Sequence, residues 1–376
     1  MKVVVAIDSF KGSLTSMEAG YAAKEGILRA GDAEVVVKPL ADGGEGTTQA
    51  LIEGLGGQMI EVQVTGPMGT PVKAHYGILE DGKTAVLEMA EAAGIILVDR
   101  NALDPWKASS TGVGEMILDA VNKGCREFIV GIGGSATTEG GIGMLQSLGY
   151  EFFDAQGNAL PPVFSSLEKI ETIKGDKVPE VLKECHFKVA CDVDNPLCGE
   201  RGCVYVYGPQ KGVKPEERQP MDEAMRHYGE KTAAFFGRDC SEVQGAGAAG
   251  GLGFAFMSYL PGAELESGIS IVLKAIELEK KVQDADVVVT GEGRMDFQTA
   301  MGKVPVGVAA LAKKYNCRVV AFAGGVTDDA VECNSKGIDA FFPIVRGVTT
   351  LDEAMETPVA KKNMTLAAEQ AFRLIL

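Results

Sequence analysis

The feature that most constrains this chain is a recurring unit: a short apolar strand, a loop dense in glycine and acid, then a helix. It is clearest over residues 284–303, DADVVVTGEGRMDFQTAMGK. The β-branched run 287–290 reads as a buried strand of a parallel sheet. The run breaks into Gly291-Glu292-Gly293, and Arg294, Asp296, Gln298, Thr299 and Lys303 follow closely. A helix pattern takes over from about 304 to 314. Open α/β sheets bind ligands in loops at the carboxyl ends of their strands. For one such loop taken alone, charges that pair with one another explain the composition equally well. Recurrence of the unit along the chain is what argues for a site.

The amino-terminal part repeats the unit twice. Residues 2–7 form a strand, Asp8 to Ser13 (DSFKGS) the loop, and Thr15 with Glu18 a capping box for a helix ending near Gly31. A second strand, 34–38, ends in PLADGGEG, with Asp42, Gly43, Gly44 and Glu45, before a helix over about 47–55. From 59 to 90, alternating runs between Gly-Pro and Asp-Gly turns read as antiparallel hairpins and open a second domain. Within them GILEDGKT, 77–84, fits the Walker A string at every position. The match is rejected: a P-loop joins a strand to a helix, and Glu80 and Asp81 would aim negative charge into a phosphate cradle.

Ser109 to Gly114 (SSTGVG) opens a helix to about Lys123, and a strand over 127–131 leads into GGSATTEGG. Gly131, Gly133 and Ala136 fit a G-x-G-x-x-A dinucleotide fingerprint, with Glu151 about twenty residues on. Against it, Gly140, Gly141 and Gly143 fall where its helix should run. A strand over 187–191 ends in CDVDNPL, with Asp192, Asp194 and Asn195. Residues 202–208 alternate like a strand, with a helix as the alternative, and end in GPQKG. Helical patterns over 220–236 and 269–283 flank a glycine-rich run. Strands over 318–322 and 340–344 and a helix over about 359–374 close the chain. The predicted fold class is α/β with two α/β domains. Residues 1–58 plus 284–376 form a discontinuous Rossmann/flavodoxin-like parallel-sheet domain around an inserted mixed-sheet domain of residues 59–283.

Composition narrows the partners. A formal charge of −16 argues against a nucleic-acid surface, which needs a basic stripe. The uncharged run 243–263 carries five glycines between Gly245 and Gly253 and reads as a loop and packed helix, not a membrane span. The five-residue apolar run before Asp8 is too short for a signal-peptide core. Eight cysteines form no Cys-x-x-Cys pair, and His75, His186 and His227 are not spaced as zinc ligands. A cytoplasmic protein with reduced thiols, no membrane and no nucleic-acid partner is expected, as a monomer or homodimer.

Phosphoryl transfer asks for N–H donors to phosphate, carboxylates for Mg²⁺, cations for developing charge and a positioned hydroxyl. The loops DSFKGS, ADGGEG, GGSAT, CDVDNP and GEGRMDFQT supply the first three. In chain order, DSFKGSLT, PLADGGEGT, TGPMG, EMAEAAG, STGVGE, GIGGSATTEGG, CDVDNPL, GPQKG, GAGAAGGLG and TGEGRMDFQT resemble the bacterial glycerate kinase family over essentially the whole chain. The resemblance implies ATP-dependent, Mg²⁺-requiring phosphorylation of D-glycerate in a cleft between two α/β domains, with 2-phosphoglycerate the usual product. One departure stands out: Thr138-Glu139 replaces the family's Asn-Asp after GGSAT.

On this reading Ser9, Lys11, Ser135, Thr137 and the backbone at Gly43, Gly44, Gly133, Gly134, Gly291 and Gly293 hold the nucleotide. Asp42, Glu45 and Glu292 hold Mg²⁺. Arg294 clamps the glycerate carboxylate, for which its planar fork is suited, with Gln298, Asp192 and Asn195 as further substrate contacts. Asp296 is the base, with Asp192 the second choice. Two other classes share part of this evidence: an NAD(P)-dependent oxidoreductase of a small hydroxy acid, and a non-catalytic sugar-acid sensor.

Overall fold

The structure, a computed structural model, describes residues 1–376. Its strands in chain order are β1 (Lys2–Ala6), β2 (Glu34–Lys38), β3 (Gly57–Thr65), β4 (Pro71–Leu79), β5 (Thr84–Glu88), β6 (Glu127–Gly131), β7 (Glu151–Phe153), β8 (Thr172–Lys174), β9 (His186–Ala190), β10 (Ala263–Glu266), β11 (Val287–Met295), β12 (Arg318–Val326) and β13 (Ala340–Pro343). The chain forms two compact units. The first comprises residues 1–42, 49–56 and 269–376; the second comprises 43–48 and 57–268.

The first unit is built on a five-stranded sheet in the order β13-β12-β11-β1-β2, every pair parallel. This is a flavodoxin-like order. Val3, Val4 and Val5 lie opposite Val287, Val288 and Val289 and are fully buried, as both faces of a helix-covered parallel sheet require. The Thr15–Glu18 capping box starts the helix Ser16–Ala30, which packs against the helix Thr357–Phe372. From β1 the chain steps to β2 on one side, whereas β11, β12 and β13 step away on the other. The switch point therefore lies between β1 and β11, where α/β sheets bind ligands. The Asp8 N–H donates to the Gly291 carbonyl across it at 2.9 Å.

The second unit holds a six-stranded sheet, β10-β9-β6-β5-β4-β3. Strands β10, β9, β6 and β5 run parallel, and β4 and β3 add antiparallel hairpins. Its core includes stacked Phe128 and Phe187 and an aromatic group of Tyr150, Phe152, Tyr228 and Tyr259. The rejected Walker string lies in the β4–β5 hairpin. There Asp81 accepts the Lys83 and Thr84 N–H groups at 2.8 Å each, and the Lys83 side chain is exposed.

Several expectations are corrected. The strand expected to end at 290 runs on to Met295, because β12 pairs with it as far as Val326. Only glycine fits at 291, where a Cβ would sit 2.0 Å from the Phe322 carbonyl oxygen. Residues 203–207 are helical: Cys203 and Val204 face inward and Val206 outward, so packing overrides their β-propensity. The single helix expected over 269–283 is two, Gly268–Ala275 and Leu278–Val282, broken at Glu277 with φ +50°. Residues 269–283 belong to the first unit, not the insert. The hairpin β7–β8 and strand β10 went unread, being too short to show a period.

The dinucleotide fingerprint also fails. No helix follows Ala136; the next begins only at Ile142. Glu151 sits on the separate β7–β8 hairpin, not on a neighbouring parallel strand. A Rossmann fingerprint needs both features, so the basis for a nicotinamide enzyme is gone.

Candidate active site

The switch point of the first unit opens into a cavity of about 660 Å³. Asp8, Ser9, Lys11, Asp42, Glu292, Gly293, Arg294 and Lys303 line its polar end. Asp8 leaves β1 directly and is buried, 9% exposed, with its carboxylate accepting the Ser9 N–H at 2.7 Å. Burial, then the neighbouring Asp42 and Glu292 carboxylates, push its pKa up to about 7, against the pull of the Ser9 N–H and the Lys11 ammonium. Burial also raises the pKa of Glu292, opposed by the Thr299 hydroxyl, which donates to it at 2.6 Å, and by Lys303. Acids that repel one another beside exposed cations are an unstable arrangement that a charged ligand would relieve.

Asp296 has a different surrounding from the one expected of a base. It caps the short helix Phe297–Ala300, its carboxylate accepting the Gln298 N–H at 2.9 Å. The Arg294 Nε lies 3.7 Å from its other oxygen. Its own N–H donates to the Thr299 hydroxyl at 3.2 Å, which in turn holds Glu292. Arg294 is 69% exposed, and the Gln298 amide oxygen accepts from Lys303 at 3.2 Å. No three cysteine, histidine or carboxylate side chains anywhere are gathered closely enough to hold a metal by themselves. Asp42 and Glu292 stand in the first unit and the exposed Glu45 in the second.

The second unit carries the remaining candidates. Residues 43–48 are pinned by buried Glu88, which accepts the Gly46 N–H at 3.1 Å and the Thr48 N–H at 2.8 Å. The loop after β6 is fastened from below. Buried Lys211 donates to the Ser135 hydroxyl at 2.7 Å and the Thr137 carbonyl at 2.6 Å. Burial pulls its pKa down to about 8, with Cys203 and Glu139 opposing. Glu139 is buried too, accepting from the Ser110 N–H and hydroxyl and from the Gly141 and Gly143 N–H groups at 2.5–3.3 Å. The acid that departs from the family pattern thus holds the loop's foot. Above it Gly133 and Gly134 are exposed, and their N–H groups meet no acceptor in the chain.

Asp192 is exposed and accepts the Gly268 N–H at 3.1 Å. Asn195 is committed to structure, bonding the Tyr207 hydroxyl at 2.5 Å and the Arg201 carbonyl at 2.7 Å. The first unit therefore gathers Ser9, Lys11, Asp42, Gly291, Glu292, Gly293, Arg294, Asp296 and Gln298. The second holds Gly43, Gly44, Glu45, Gly133, Gly134, Ser135, Thr137, Asp192 and Asn195.

Three residues of consequence were given no role from sequence, Asp8, Glu88 and Lys211, and Glu139 was noted only as a departure from the family pattern. An acid immediately after the first strand was a readable signal for Asp8. Lys211 was legible only as part of the GPQKG motif, since nothing local in that turn shows its burial.

A flavodoxin-like sheet with carboxylates and cations at its switch point, together with a second unit that carries an exposed glycine N–H loop, defines a class: α/β enzymes of small anionic ligands. Comparison with known proteins makes this particular. Residues 3–376 match the glycerate kinase family. The glycerate kinase of Haemophilus influenzae is 43% identical over 376 residues, covering 100% of this chain and 99% of that protein. The glycerate 2-kinase of Escherichia coli K12 is 46% identical over 355 residues, 94% of this chain and 93% of its own. A crystal structure described as glycerate kinase 2 from Salmonella typhimurium LT2 is similar with a TM-score of 0.92 at 42% identity, covering 100% of this chain and 98% of that one. The chain belongs to the glycerate kinase family and is an enzyme of the kinase class. That membership replaces the binding-only reading. No helix is long and apolar enough to cross a membrane.

Proposed function

We propose that this enzyme transfers the γ-phosphoryl group of ATP to the carbon-2 hydroxyl of D-glycerate in a Mg²⁺-dependent reaction, giving 2-phosphoglycerate and ADP. The observation that carries the reading is buried Asp8, facing Asp42 and Glu292 at the switch point with Lys11, Arg294 and Lys303 around the same cavity. The name of the Escherichia coli relative, glycerate 2-kinase, supports carbon 2.

Asp8 is the candidate base. Burial, its largest cause, raises the Asp8 pKa toward the range in which a general base works, whereas Asp296 spends its oxygens on a helix cap and Arg294. Asp296 instead orients Arg294, whose exposed guanidinium clamps the glycerate carboxylate. Lys11 and Lys303 face the phosphate charge. Mg²⁺ fits this donor set: Asp42 and Glu292 are hard oxygen ligands, and one or two carboxylates plus substrate phosphates suffice for it. Bound there it would neutralise charge on the transferred group. The eight free cysteines suit a reducing, cytoplasmic setting.

Phosphorus NMR of the product tests the reading. Resonances of 2-phosphoglycerate and ADP are expected with D-glycerate, and almost no turnover with glycerol, which leaves Arg294 unpaired. A 3-phosphoglycerate resonance would overturn the regiochemistry, and equal turnover of glycerol the clamp.

A further inference from the structure

The cavity of the first unit has two chemically different ends. One is the charged switch point between β1 and β11. The other lies beyond β12 and β13 and is apolar, walled by Val326, Ile344, Val345, Leu351, Ala354 and Met355. A three-carbon acid with a carboxylate and two hydroxyls has no use for that second end. We infer that the apolar end seats the purine base of the nucleotide, with its phosphates running to Lys11 and Lys303, so that the nucleotide lies on the flavodoxin-like unit; this rests on the kinase reading above.

The local architecture explains why the end is open. Strand β13 stops at Pro343, opposite Ala323, and the chain turns away after the Ile344 N–H donates to the Ala323 carbonyl at 2.8 Å. Strand β12 continues as Gly324, Gly325 and Val326, supported only by β11. This leaves a shelf with two glycines in its floor. A Cβ built at Gly325 meets nothing within 4 Å, so a flat ring can lie over bare backbone there.

The opposite wall is the short helix Leu351–Met355. Leu351 is 73% exposed although it borders the cavity. Apolar surface left in water is unfavourable, and a purine covering it removes that exposure. The wall is fastened to the phosphate-facing loop: the Thr357 hydroxyl donates to the Ser13 carbonyl at 2.8 Å, and Met355 packs beside Gly12. Base and phosphate contacts are thus held at a set separation. The volume of about 660 Å³ lies in the range of pockets that bury whole cofactors.

Photolabelling of the wild-type enzyme with 8-azido-ATP, followed by peptide mapping, is the direct test. Label is expected within 344–360 or the end of β12, and is lost when ATP is added in excess. Label on the 132–143 loop would overturn the inference. The variant Ala354→Trp fills the apolar end and is expected to raise KM for ATP about tenfold or more while moving KM for glycerate less than threefold. The reverse pattern places the base elsewhere and sinks the idea. The two readings fail separately. Phosphoglycerate formation with label on 132–143 removes the base site and leaves the reaction standing. Label on 344–360 without phosphoglycerate formation supports the base site and removes the reaction.

Discussion

At the residue scale Asp8 carries the most weight, because its environment is costly unless used. A carboxyl normally near 3.8 is pushed up to about 7 by burial and by the Asp42 and Glu292 carboxylates. Between those two values the folded protein holds a proton that the unfolded chain has released. Its stabilising contribution is therefore complete below about 4 and is lost as pH rises through about 7. Asp8→Asn should flatten this part of the profile, so that the urea midpoints of variant and wild type diverge between about pH 4 and pH 7. The same variant should lower kcat by about 10² or more with ATP affinity within a few-fold. A kcat within threefold of wild type would remove Asp8 from the chemistry.

At the element scale, Asp296 tests whether the turn after β11 acts by chemistry or by shape. The helix Phe297–Ala300 has one turn and depends on its cap, and through Thr299 the same turn steadies Glu292. Asp296→Ala should cost about 0.5–2 kcal/mol of stability, the range for losing an N-terminal cap. It should raise KM for glycerate through a loosened Arg294 more than it lowers kcat. Steady-state kinetics beside a denaturant titration separates the cases. A fall in kcat of about 10² or more with unchanged KM would return the base role to Asp296.

At the scale of the whole molecule, the eight cysteines report how completely the two units close their cores. All are free; seven are buried and only Cys191 is half-buried. Burial pushes the Cys185 thiol up to about 11 and Cys203 up to about 12, and raises Cys191 as well. Thiolates are the reactive form, so the native protein should react with Ellman's reagent at no more than one thiol, slowly. All eight should react in urea. Rapid reaction of several native thiols would contradict the packing around both sheets.

What the sequence determined by itself was local. The capping box at Thr15 and Glu18, the apolar runs of β1, β6 and β11, the hairpin identity of the Walker-like string and the family motifs all follow from residues near one another in the chain. Periodicity and turn chemistry act over a few residues, so they survive without a fold. Tertiary structure decided the rest. Gly291 to Met295 became strand only because β12 lay alongside, and Val204 became helical only because a buried face awaited it. Lys211 lost its solvent under the 132–141 loop. Asp8 acquired its raised pKa first from burial and then from Asp42 and Glu292, which the sheet order brings to it. Burial and charge proximity depend on distance in space, and a linear chain does not carry that distance until the sheet has formed.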